Sequence, residues 1–216
     1  MFKTVIFDLD GTILNTIDDL ADAGNWVCRK MGWREYSVAQ YKKMVGRGIP
    51  NLLRAMAPEG SAVETVEAAL AEFSAYYADH NLDKTAPYPG IPELLAAAKA
   101  AGVQLAVYSN KADEFCSGIV EHFFPGVFDV IRGKVEGVPV KPDPKGLGML
   151  MGTLGAQKES TLYVGDSNVD METAVNGGLV SCGVTWGFRD REELLASGAV
   201  HLADEPAQLL ALICGR

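Results

Sequence analysis

The sequence has few of the residues that hold soft metals or disulfides. Its four cysteines, Cys28, Cys116, Cys182 and Cys214, stand far apart and never form a Cys-x-x-Cys pair, and its three histidines, His80, His122 and His201, are equally scattered. A zinc ribbon and a disulfide scaffold are therefore set aside, and four reduced thiols, mostly in cores, are expected. There is no basic run: 19 Lys and Arg face 28 Asp and Glu, a net charge of -9, which speaks against a nucleic-acid partner. No apolar stretch is long enough to cross a bilayer. Lys3 and Asp8 interrupt the N-terminal apolar run before it reaches signal-peptide length. The cytoplasm is the expected compartment, and a membrane is not an expected partner. A chain this acidic needs local positive charge, from a metal or a few placed Lys and Arg, if it handles an anionic substrate.

What is present is an apolar fraction of 48%, enough to bury a core, and a repeated pattern. Thr4 to Phe7 is a short β-branched run that ends at Asp8 and reads as a buried strand. Similar runs recur at Val103 to Tyr108, Val127 to Ile131, Thr161 to Val164 and Val180 to Val184. Helical patterns lie between them at Pro92 to Ala101, Ala112 to Phe123, Pro144 to Leu154 and Val169 to Asn176. This alternation predicts an α/β fold with a doubly wound, Rossmann-like parallel sheet. Residues 15–83 break the rhythm with helical stretches only: Ile17 to Met31, Val38 to Val45, Asn51 to Met56 and Val63 to Asn81. They predict an inserted all-α subdomain, leaving 1–14 and 84–216 as the α/β core. The insert follows the C-terminal end of the first strand, where such sheets place ligands, so a lid is the functional expectation and a packing decoration the alternative.

Four strand ends carry polar groups. Asp8-Leu9-Asp10-Gly11-Thr12 sends two carboxylates off a buried strand two residues apart, and Gly11 permits a sharp turn. Ser109 and Asn110 end a second strand, Lys141-Pro142-Asp143-Pro144 presents a lysine in a stiff loop, and Asp166 is followed four residues later by Asp170. Each alone has a plain structural alternative: an Asx turn, a helix N-cap, a surface lysine, a capped helix start. Together they bring several acids to one sheet edge. Two like charges about 4 Å apart repel by roughly 4 kcal/mol at an effective dielectric near 20, so the set calls for a cation. Oxygen donors without His or Cys favour Mg2+ over Zn2+. Ser109 and Lys141 then suit a phosphate.

These four segments resemble the four motifs of the haloacid dehalogenase superfamily, in order and along the whole chain. The helical insert resembles that family's C1 cap. Val45-Gly46-Arg47-Gly48 and Thr185-Trp186-Gly187-Phe188 narrow the likeness to phosphoglycolate phosphatases. The resemblance implies a Mg2+-dependent phosphatase acting on a small phosphorylated metabolite, as a monomer or homodimer. It makes Asp8 the nucleophile that forms an aspartyl phosphate, and Asp10 the acid and base. Asp8, Asp166, the main-chain carbonyl of Asp10 and, directly or through water, Asp170 would hold the metal. Ser109, the Asn110 backbone N–H and Lys141 would hold the phosphoryl group, and Gly11 and Thr12 are supporting, with Thr12 orienting Asp10. Arg47, framed by glycines on the cap, would pair with a substrate carboxylate; a surface arginine at a helix–helix turn is its alternative.

Within the superfamily, a β-phosphoglucomutase or an inorganic pyrophosphatase is the nearest competing reading. The mutase pattern commonly has a cap histidine soon after the first motif, and residues 15–32 contain none. From another class, a phospho-accepting signalling domain shares acids, a hydroxyl and a lysine at a sheet edge, but its acidic pair does not resemble Asp-x-Asp-Gly-Thr.

Overall fold

Thr4 to Phe7 forms strand β1 (Thr4–Phe7), buried at every residue. A strand covered on both faces is what its unbroken apolar run requires. After β2 (Leu14–Asn15) come four helices, α1 (Ile17–Met31), α2 (Val38–Met44), α3 (Ile49–Met56) and α4 (Val63–His80). The chain then returns through β3 (Ala86–Pro87), which pairs with β2. From there the rhythm is strand and helix: α5 (Ile91–Ala100), β4 (Gln104–Ala112), α6 (Asp113–Phe123), β5 (Val130–Lys134), α7 (Pro144–Leu154), β6 (Thr161–Gly165), α8 (Asn168–Gly177) and β7 (Val180–Val184). The chain closes with α9 (Arg191–Ala196), β8 (His201–Ala203) and α10 (Pro206–Cys214). This is a computed structural model describing residues 1–215.

Six strands form one parallel sheet in the order β5-β4-β1-β6-β7-β8. The chain fills one side of β1 with β4 and β5, then crosses to the other with β6, β7 and β8. That reversal makes the sheet doubly wound and opens a crevice at the carboxyl ends of β1, β4 and β6. Apolar residues of β1, β4, β6, α7 and α8, among them Ile6, Ala106, Leu150, Tyr163 and Ala174, pack into one buried cluster. The expected α/β sheet is thus present. β4 runs further than expected, through Ala112, and β5 begins later, at Val130.

Residues 16–86 form a compact unit of their own, apart from residues 1–15 and 87 onward. Within it α1 packs on α4 and on α2, and α3 packs on α4. Gly24 stands in mid-helix because Tyr41 lies against it and leaves no room for a Cβ. The Tyr41 hydroxyl donates to Asn25 Oδ1 at 3.0 Å. Asp19 does more than favour a helix start. It is buried, and its carboxylate accepts from the Lys84 N–H at 3.0 Å, the Thr85 N–H at 2.8 Å and the Thr85 hydroxyl at 2.7 Å. That clasp draws the outgoing segment onto α1, within the unit of residues 16–86.

Removing the clasp leaves the buried N–H and hydroxyl of Thr85 without an acceptor, each worth roughly 1–3 kcal/mol. Asp19→Ala is therefore expected to lower the urea midpoint clearly, by about 2 kcal/mol or more in unfolding free energy. Asp22→Ala, which loses only an exposed contact with the Lys84 ammonium, is expected to leave the midpoint in place.

Candidate active site

The polar groups expected at the strand ends do converge. Asp8 follows β1, Ser109 and Asn110 lie within β4, Asp166 follows β6, and Asp170 is in the first turn of α8. One carboxylate oxygen from each of Asp8, Asp166 and Asp170 lies within 4.8 Å of the others, and all three residues are buried. Lys141 is no surface lysine. Its side chain is 2% exposed, and its ammonium donates to Asp170 Oδ1 at 2.7 Å and to the Tyr108 carbonyl at 3.2 Å. It also pairs with Asp8 Oδ1 at 2.8 Å. That contact is an ion pair between two buried groups, and Asp8 Oδ1 has no hydrogen-bond donor besides this ammonium.

Each acid is braced differently. Asp166 accepts from the Phe188 N–H at 2.7 Å and from the Thr12 hydroxyl at 3.3 Å. Thr12 thus steadies Asp166, not Asp10 as expected, because the turn after β1 folds back on itself. The amides of Thr12, Ile13 and Leu14 all bond to the Leu9 carbonyl. Gly11, at φ 85°, makes that turn, and a side chain on it would collide with the Asp166 carboxylate. Gly187 is equally tight against Asp166, and Trp186 donates to the Thr12 carbonyl at 2.9 Å. The Thr185 to Phe188 segment, noted in the sequence only for its likeness, therefore buttresses the acid. Asp170 accepts from the Ser167 N–H and hydroxyl on one oxygen and from Lys141 and Tyr163 on the other. It is a helix cap and a lysine anchor at once.

Asn110 has a part that its spacing did not disclose. Its side chain accepts from the Lys141 N–H at 2.8 Å and donates to the Lys141 carbonyl at 3.1 Å. It therefore fixes the backbone that carries the lysine. A second buried lysine, Lys111, was missed altogether. Its ammonium lies 3.2 Å from Asp10 Oδ1. The signal was a lysine next to Ser109 and Asn110 in a strand otherwise buried. The Asp10 side chain is not one of the three clustered acids. Arg47 lies in the helical unit, exposed, between α2 and α3, with Gly46 and Gly48 on either side at positive φ. Its carbonyl accepts from the Asn51 side chain at 2.7 Å.

The electrostatics follow from burial. Desolvation, then the neighbouring Asp170 charge, pushes the Asp8 carboxyl up to about 7 against the pull of Lys141. Asp166 is also held well above the usual carboxylate range, by burial first and by Asp170 and Asp8 next. Burial opposes the charged form of Lys141, but Asp170 and Asp8 outweigh it and keep the ammonium charged well above the ordinary lysine range. The rings of Tyr108 and Tyr163 flank that ammonium at 5.8 and 5.9 Å. Three buried carboxylates with ligand oxygens this close, offering only oxygen donors and facing one shared ammonium, fit a hard divalent cation.

The profile of the haloacid dehalogenase-like hydrolases matches residues 5–184. A phosphoglycolate phosphatase of Rhodospirillum rubrum is 36% identical over 97% of this chain and 90% of its own length. One of Aquifex aeolicus is 32% identical, over 86% of each chain. A crystal structure from Lactobacillus delbrueckii subsp. bulgaricus superposes with a TM-score of 0.94 at 35% identity, covering 100% of this chain and 99% of that one.

The raised Asp8 value gives a signed expectation for the metal-free protein. Between the ordinary aspartate value of about 4 and about 7, the folded state holds a proton on Asp8 that the unfolded state has lost. Stability must then fall as pH rises through that window. Asp8→Asn removes this penalty, so in EDTA the variant should melt higher than wild type at pH 8, with the gap closing toward pH 4. Adding a divalent cation should raise the wild-type melting temperature much more than that of Asp8→Asn.

Proposed function

The chain belongs to the haloacid dehalogenase-like hydrolases, and from that membership we propose that it is a Mg2+-dependent phosphatase that cleaves a small phosphomonoester through an aspartyl phosphate on Asp8. Charge balance is the observation that carries the reading. With every group ionised and before substrate brings a proton to Asp10, Asp8, Asp10, Asp166 and Asp170 bring four carboxylates to the strand ends, Lys111 and Lys141 two ammonium groups, and four less two leaves two negative charges. One divalent cation offsets that remainder.

Asp8, Asp166 and the main chain at Asp10 are the groups assigned to hold Mg2+. Asp170, the third acid of the cluster, is assigned to the same metal directly or through a water, while it also anchors Lys141. Bound there, the metal supplies positive charge that shields the nucleophile from the phosphate's own negative charge.

The chain's own residues then divide the work. An Asp8 oxygen attacks phosphorus in line; a P–O bond to Asp8 forms as the ester P–O bond breaks. Asp10 gives its proton to the leaving oxygen, then takes one from the water that attacks the aspartyl phosphate. Inorganic phosphate leaves and the Asp8 carboxylate is restored. Lys141, held by Asp170 and by the Asn110 bracket, faces charge on both Asp8 and the phosphoryl oxygens. Ser109 and the Asn110 N–H are assigned to those oxygens.

Phosphoglycolate is the substrate we assign, on the likeness to relatives that bear its name. Arg47 is the residue assigned to its carboxylate, as a bidentate partner. The helical unit is read as the family's cap, and the cytoplasm as the compartment.

A panel of phosphorylated metabolites, with and without Mg2+, tests the reading. Mg2+-dependent release of phosphate from phosphoglycolate is expected, and abolition of turnover in Asp8→Asn. Asp10→Asn should bind substrate normally and lose about 10²- to 10⁴-fold in kcat on alkyl phosphates. Arg47→Ala should raise KM for phosphoglycolate and not for substrates lacking a carboxylate. Phosphate release that is indifferent to Mg2+, or an active Asp8→Asn, would overturn the mechanism.

A further inference from the structure

Lys111 is nearly as buried as Lys141, and the fold goes to some length to place it. Strand β4 pairs regularly with β5 as far as Tyr108 and Arg132, then resumes only at Ala112 and Lys134. Four steps on β4 stand against two on β5, so the stretch Ser109 to Lys111 carries two residues with no counterpart. A bulge of this kind re-aims a side chain that a straight strand would send elsewhere. The displaced segment is anchored on its far side, where Asp113 accepts from the Gly133 N–H at 2.7 Å. Gly133 lies so close to the Lys111 carbonyl that it has no room for a Cβ. The Ser109 hydroxyl accepts from the Lys111 N–H at 3.3 Å.

At the end of this arrangement the Lys111 ammonium meets Asp10 Oδ1 at 3.2 Å, with its side chain 3% exposed. Two further facts concern Asp10. Its side chain lies outside the cluster of Asp8, Asp166 and Asp170. The Thr12 hydroxyl, the nearest candidate in sequence to orient it, is directed to Asp166.

We propose that Lys111 is the positioning residue for Asp10: it holds the second carboxylate of the Asp-x-Asp pair away from the three-acid cluster, so that this carboxylate serves the leaving group and does not become a metal ligand. The proposal deepens the phosphatase reading and rests on it for the leaving-group role. Lys111 acts only through Asp10; it is not assigned to substrate or metal. A buried lysine suits the task because its charge attracts the carboxylate strongly where water is excluded.

A double-mutant cycle with two readouts tests it. Lys111→Met keeps the stem's bulk and removes the charge. It should lower kcat on phosphoglycolate by about 10-fold or more with KM little changed, and should spare p-nitrophenyl phosphate, whose leaving group needs no proton. In an Asp10→Asn background the same change should have no further effect on kcat. Lys111→Arg, which keeps the charge, should recover part of the loss. The second readout is calorimetric titration with Mg2+, without substrate. Lys111→Met should bind the ion several-fold more tightly, as the released carboxylate joins the cluster, and this gain should vanish when Asp10 is Asn. An additive cycle in both readouts, or a metal gain that persists without the Asp10 carboxylate, would overturn the proposal. If the wild-type chain hydrolyses no phosphomonoester, the phosphatase reading fails, while the metal titration still decides the role of Lys111. Should Lys111→Met not fold, Lys111→Gln carries the same cycle with the same expectations.

Discussion

Crowded negative charge is the constraint around which the molecule is organised. Three buried carboxylates share one small volume, and a fourth is held just beside them. Unpaired ions in such a place are costly enough that proteins neutralise, pair or coordinate them. Two of these remedies are visible: the Asp8 and Asp166 carboxyls resist ionisation, and Lys141 and Lys111 supply paired charge.

The sheet makes this crowding feasible. β1, β4 and β6 lie side by side at the point where strand order reverses, so their carboxyl ends deliver Asp8, Ser109 and Asp166 to one crevice. Rigid neighbours then fix each group: Thr12 and Phe188 on Asp166, Ser167 and Tyr163 on Asp170, and Asn110 on the backbone of Lys141. Geometry held by a packed scaffold needs little reorganisation when substrate arrives, which is where such sites gain most of their effect.

Much of this was legible before any coordinates. Apolar runs ending in polar residues are a local signal, and Asp8, Ser109, Lys141, Asp166 and Asp170 could be read from it. The partners of those residues could not. That Thr12 turns to Asp166, or that Asn110 brackets Lys141, depends on which strand ends meet across 154 or 31 residues of chain. Lys111 was hidden for a related reason. A lysine after a strand reads as solvated, and only the irregular pairing with β5 turns it inward. β8 escaped notice because His201 to Ala203 is too short to show a period. α9 and α10 had clearer signs, an Asp190 cap and a Pro206 start before Gly215.

The Asp19 clasp has a consequence for how such a chain can change over time. By binding Lys84 and Thr85, it joins the entry of the helical unit to its exit through contacts made wholly inside that unit. Both ends of the insertion therefore arrive together, at the short β2–β3 pair through which the chain enters and leaves it. A segment closed in this way can be lengthened, replaced or exchanged between hosts without disturbing the residues that do the chemistry.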